Sequence, residues 1–142
     1  MVPETGYRHV EQDHAALHAV ALELHGACAK CGCGSLLERM RDFGARLATH
    51  FDAEERLWRE VDDERLDWSA RKWIANLVRD HEDFRGRIEG ITRALAAAEA
   101  GARPPDDLVG DIRRLLGDLL QHELSESRLF QRAVFENLSG AV

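Results

Sequence analysis

The stretch SLLERMRDFGARLATHFDAEERLWREV, residues 35–61, decides the fold. Its apolar residues Leu36, Met40, Phe43, Leu47, Leu57 and Val61 recur at steps built from threes and fours, the spacing of one buried helix face. Two members of that stripe are polar, His50 and Glu54. Ser35 and Glu38 make an S-x-x-E capping box, which predicts the helix start, and the pattern runs on to about Asp62.

The same alternation extends outward in both directions. Helix one, from about Thr5 to Cys28, reads Tyr7, Val10, His14, Leu17, Ala21, Leu24, Cys28. Helix three opens near Asp67 or Ser69, either of which can cap, and reads Ile74, Leu77, His81, Phe84, Ile88, Ile91, Leu95. It runs to about Ala100, where Gly101 predicts a left-handed stop. Helix four follows Pro105 and reads Leu108, Ile112, Leu115, Leu119, His122, Glu126, Leu129, Ala133, ending near Asn137. The only prolines are Pro3, Pro104 and Pro105, so nothing forbids long helices between them. Short joints force sequential helices to lie antiparallel, which predicts an all-α, up-down-up-down four-helix bundle formed as a single domain over residues 1–142.

Composition narrows the class of function. With 142 residues, 44% hydrophobic and 32% charged, the chain can bury a core and is no disordered tail. A net charge of −7 repels phosphate backbones and anionic headgroups, so nucleic acid and membrane are not the expected partners. No basic start followed by an apolar run, and no span of ~18 apolar residues, is present, so a cytoplasmic location is the expectation. Small ligands are the expected partners, and a partner protein stays open.

Every seam thus carries a histidine, and two add a glutamate one turn on. Counting from the joints at ~1.5 Å per residue puts His14, His50, Glu54, His81, His122 and Glu126 at one height to within about one turn. Two buried carboxylates without a cation would each cost several kcal/mol of desolvation, and no Lys or Arg occupies a seam. A bound metal resolves this. Imidazole and carboxylate without thiolate suit iron or another first-row metal, and two ions balance four histidines and two glutamates. A dry polar network satisfied by internal hydrogen bonds is the alternative.

The chain resembles the hemerythrin-like, HHE-type cation-binding domains. DHAALHAV around His14, HFDAEE from His50, HEDF from His81 and HELSE from His122 resemble the four successive helix motifs of that family. The resemblance implies a non-haem centre of two iron ions, with His14 and His50 on one iron, His81 and His122 on the other, and Glu54 and Glu126 bridging. It also implies a small ligand such as O2, NO or peroxide. Oxygen-carrying hemerythrins have a third-helix H-x-x-x-H pair, whereas this chain has Leu77 four residues before His81. Two histidines per iron is more similar to the iron-sensing domain of an F-box protein. The expectation is therefore a di-iron protein that binds or senses O2, NO or iron, with a di-iron enzyme acting on peroxide, O2 or ferrous iron as the alternative. A plain helical interaction module is the third reading.

The remaining features are secondary. His18 shares an alternative first-helix register with His14 and is read as lying outside the ligand set, and His9 and His25 as surface residues. Cys28, Cys31 and Cys33 form either a glycine-rich turn, a redox pair or a soft-metal site. Trp58, Trp68 and Trp73 bracket the second joint and are expected to cap that end.

Overall fold

The computed structural model describes the backbone of residues 4–60 and 66–132. Four helices fill it: α1 Glu4–Ala27, α2 Cys33–Arg59, α3 Trp68–Ala97 and α4 Asp106–Gln131. No strand occurs among the described residues. α1 packs on α2 and α4, and α3 packs on the same two. Gly6 near the start of α1 abuts Leu57 near the end of α2, and Gly34 at the start of α2 abuts Ala100 just past α3. Arg132 at the end of α4 reaches Asp67 at the start of α3, 3.1 Å away. Each of these helix pairs therefore runs in opposite directions.

The helix ends differ from the sequence expectation in two places. α2 starts before Ser35, with Gly32 as N-cap, so the predicted capping box does not form. Its first amides are satisfied from elsewhere: Cys33 N–H donates to Ala102 O at 2.8 Å and Gly34 N–H to Ala100 O at 2.9 Å. That approach leaves no room for side chains, since a Cβ on Gly32 or Gly34 would stand 2.9 Å from Ala100. α3 ends at Ala97 and leaves through extended Ala98, and no described glycine has positive φ, so Gly101 is not a left-handed stop. Asp67, not Ser69, caps α3 by accepting from Ala70 N–H at 2.7 Å. Val61, Asp62, Ala133 and Asn137, and the side chain of Tyr7, lie outside the described residues.

The core falls into two apolar clusters. One joins Leu17, Leu24, Met40, Phe43, Leu47, Phe51, Phe84, Ile91, Ile112 and Leu119 with their neighbours, towards the α1–α2 and α3–α4 joints. The other joins Val10, Leu57, Trp58, Leu66, Leu77, Leu129 and Phe130 towards the α2–α3 joint. On every helix the histidine falls between a member of one cluster and a member of the other, so the polar layer crosses the middle of the bundle. Trp58 stacks on Phe130 with ring centroids 4.1 Å apart, and the Trp73 indole donates to Ser125 Oγ at 2.7 Å, both closing that end. Trp68 does not; it is 72% exposed, with Lys72 over its ring.

Candidate metal centre

Each helix contributes to the central layer because its seam points inward there, and all six side chains arrive buried. His81, Glu54 and Glu126 are fully enclosed, and His14, His50 and His122 nearly so. They form two groups, His14, His50, Glu54 and Glu126, and Glu54, His81, His122 and Glu126. Within each group one ligand atom per residue lies within 4.8 Å of all the others. The groups share both glutamates, so either could hold a cation with its neighbour alongside. Among the described residues, no other set of three or more His, Cys, Asp or Glu meets that geometry.

The imidazoles converge through one nitrogen and are held by the other. His14 Nε2 is 3.2 Å from Glu54 Oε1, and His50 Nε2 contacts the same oxygen. His81 Nε2 is 3.3 Å from Glu54 Oε2, and His122 Nε2 is 2.6 Å from Glu126 Oε1. On the outer side, His50 Nδ1–H donates to Asp13 at 3.4 Å, His81 Nδ1–H to Glu55 at 3.2 Å and His122 Nδ1–H to Asp80 at 3.1 Å. His14 Nδ1 faces Glu11 at 3.8 Å. An outer carboxylate behind an imidazole fixes the tautomer and leaves Nε2 with a free lone pair aimed inward. None of these four carboxylates sits on a seam, and each is recognisable only once the helices are assembled.

Committing those protons outward leaves the interior short of donors. His81 Nε2 and His122 Nε2 stand 3.1 Å apart. Both Glu126 oxygens, Glu54 Oε2 and His50 Nε2 are buried with no aligned hydrogen-bond partner, despite the close approaches above. Buried polar atoms are rarely left so, and a cation among them satisfies lone pairs on both residue types. The donor set therefore fits a metal ion. Burial raises the Glu54 carboxyl, but the imidazoles of His14, His50 and His81 against it, when they carry a proton on Nε2, outweigh burial and hold it well below the usual carboxylate range. Burial pulls His50 down, and Glu54 and Asp13 more than reverse that; His122 ends below its ordinary value through burial and the nearby His81.

Phe51 packs flat against His81, centroids 3.8 Å apart, with the Arg85 guanidinium over the same ring at 5.6 Å. His18, His9 and His25 are exposed and outside the layer. Leu77 is buried in the apolar cluster beside it. Cys28 and Cys33 pack into the core while Cys31 is half-buried, and burial pushes the Cys28 thiol up, away from thiolate chemistry. One buried carboxylate was missed by the seam analysis: Glu123, 7% exposed, which burial pushes up to about 7. Leu116, Glu123 and Phe130 lie seven apart and are all buried, so a wider stripe on α4 carries the signal.

The family model described as the hemerythrin HHE cation-binding domain matches residues 5–134. No curated protein and no solved structure matches the chain. No helix among the described residues is long and apolar enough to cross a membrane.

Proposed function

The chain belongs to the hemerythrin HHE cation-binding domain family, and on that premise we propose that it is a non-haem di-iron protein that binds or senses O2, NO or iron itself. The observation that carries this reading is the pair of four-residue groups sharing Glu54 and Glu126. In it His14 and His50 would serve one ion and His81 and His122 the other, with Glu54 and Glu126 available to both. Iron at this position supplies Lewis acidity and a redox couple. The protein's own share is orientation and exclusion of water: Asp13, Glu55 and Asp80 fix three imidazoles, and the two apolar clusters seal the layer above and below. Imidazole and carboxylate donors without a thiolate support iron over a soft-metal assignment.

A second reading, a di-iron enzyme acting on peroxide, O2 or ferrous iron, is favoured by Leu77, an apolar residue where the oxygen carriers of the resemblance have a histidine. Elemental analysis of protein purified from its own host, with optical spectra before and after air is admitted, tests the first reading. Two irons per chain and an air-dependent spectral change are expected; a folded protein that takes up no metal would falsify it. Repeated peroxide consumption by substoichiometric protein distinguishes the second.

A further inference from the structure

The three cysteines lie where α1 gives way to α2, outside the central layer and unused by it. Among the described residues, no group of three or more converging His, Cys, Asp or Glu ligands includes a cysteine, so the soft-metal alternative finds no site there. Two of the thiols are paired by the backbone. Past Ala27 the chain keeps a helical turn, with Cys28 N–H donating to Leu24 O at 3.2 Å, Lys30 N–H to Ala27 O at 3.1 Å and Cys31 N–H to Ala27 O at 2.8 Å. Residues three apart in such a turn share a face, with Cβ atoms about 5–6 Å apart, against about 4 Å in a disulfide. Residues 28–31 lie beyond the end of α1, so closing that difference unwinds no helix. Both side chains pack against the same apolar cluster. Cys33 stands on the other side of Gly32, wholly enclosed in the first turn of α2, with its N–H donating to Ala102 O.

The pair is also unequal in access. Cys28 is 3% exposed, whereas Cys31 is half-buried and meets solvent. We propose that Cys28 and Cys31 are a dithiol that hydrogen peroxide oxidises to a disulfide, with Cys31 meeting the oxidant and Cys28 resolving it. The Cys31 sulfur attacks one peroxide oxygen: an S–O bond forms, the O–O bond breaks, and the departing hydroxide leaves as water with the Cys31 proton. The Cys28 sulfur then attacks the Cys31 sulfur: the S–S bond forms, the S–O bond breaks, and the second hydroxide leaves as water with the Cys28 proton. Two thiols lose two electrons, and one peroxide becomes two waters. Burial holds the Cys28 thiol above its ordinary value, so it keeps its proton until the leaving hydroxide takes it. The site lies about four turns along α1 from His14, and it does not rest on the di-iron reading.

Mass spectrometry of the full chain tests this, after treatment with hydrogen peroxide in the presence of free cysteine, then unfolding and alkylation. At a dose that oxidises the free cysteine, the protein's thiols should fall from three to one, with two hydrogens lost and the bond mapped to Cys28 and Cys31. The same treatment in urea should lose that preference and give mixed pairings. Cys31→Ser should leave Cys28 and Cys33 reduced at the same dose, and Cys28→Ala should stop at a sulfenic acid on Cys31, captured by dimedone. Cys33→Ala should pair as the unaltered chain does. A bond that includes Cys33, a crosslink between two chains or survival of all three thiols overturns the proposal, and so does equal thiol loss in Cys31→Ser. The mapping on the unaltered chain decides the matter even where a variant fails to fold.

Discussion

Glu126 shows what a single residue costs in this protein. Both its oxygens are buried and without aligned partners, so in the absence of a cation the carboxylate opposes folding. Glu126→Leu should abolish metal uptake and, by removing a buried carboxylate that has no aligned partner, make the metal-free protein more stable. Urea unfolding under chelator measures this, and a less stable variant would contradict it. Glu54→Ala should lose metal, whereas exposed His18 should tolerate alanine with unchanged metal content and Tm. Cys28 supplies a titration with a clear sign. Its thiol is raised by burial, so the stability it contributes is complete below its ordinary value of 9.0 and is lost as pH rises past it. Cys28→Val should therefore flatten the loss of stability on the alkaline side, read as Tm against pH beside the unmodified protein.

At the level of the helix, the joints are held by backbone rather than by the side chains that usually cap. The Cys33 and Gly34 amides reach across to carbonyls of the α3–α4 joint, and that contact fixes where α2 begins. Gly34→Ala would place a Cβ 2.9 Å from Ala100 Cβ and 3.2 Å from its backbone, so one chain must retreat. A loss of about 1–3 kcal/mol is expected, with the α-helical signal retained. Asp67 is a conventional cap, and Asp67→Ala should cost about 1 kcal/mol through the Ala70 amide it leaves unpaired. Chemical denaturation of the two variants separates these cases, and a neutral Gly34→Ala would show that the approach at the joint is looser than described.

For the molecule as a whole, a metal held in the central layer would couple folding to loading. Binding to the folded state alone adds about 4 kcal/mol when free metal stands a thousandfold above its dissociation constant, so chelation should lower Tm markedly. Acid should do the same. The ligands must be deprotonated, and Glu54 is already held well below the usual carboxylate range by His14, His50 and His81, which outweigh the opposing effect of burial. Release should therefore begin as His50 takes up a proton, since Glu54 and Asp13 outweigh burial and lift it above its ordinary value of 6.5, and before the carboxylates near ~4.3 are reached. Metal retained during titration from neutrality down to the carboxylate range would count against histidine ligation.

The alternation of three and four was enough to place His14, His50, Glu54, His81, His122 and Glu126 on buried faces at one height, because helical periodicity is a local property of the chain. It also gave the helix number and, to within a few residues, the ends of α1 and α3. Assembly decided the rest. Ser35 looked like a cap, but the carbonyls that satisfy the α2 amides belong to Ala100 and Ala102, nearly seventy residues away in sequence. Asp13, Glu55 and Asp80 looked like solvated charges until the neighbouring helix brought a histidine to each. Glu123 sat one position beside the narrow seam, and only the breadth of the α1–α4 contact buried it. Periodicity specifies which way a side chain points; what it meets there depends on another segment of chain, whose position is set by packing.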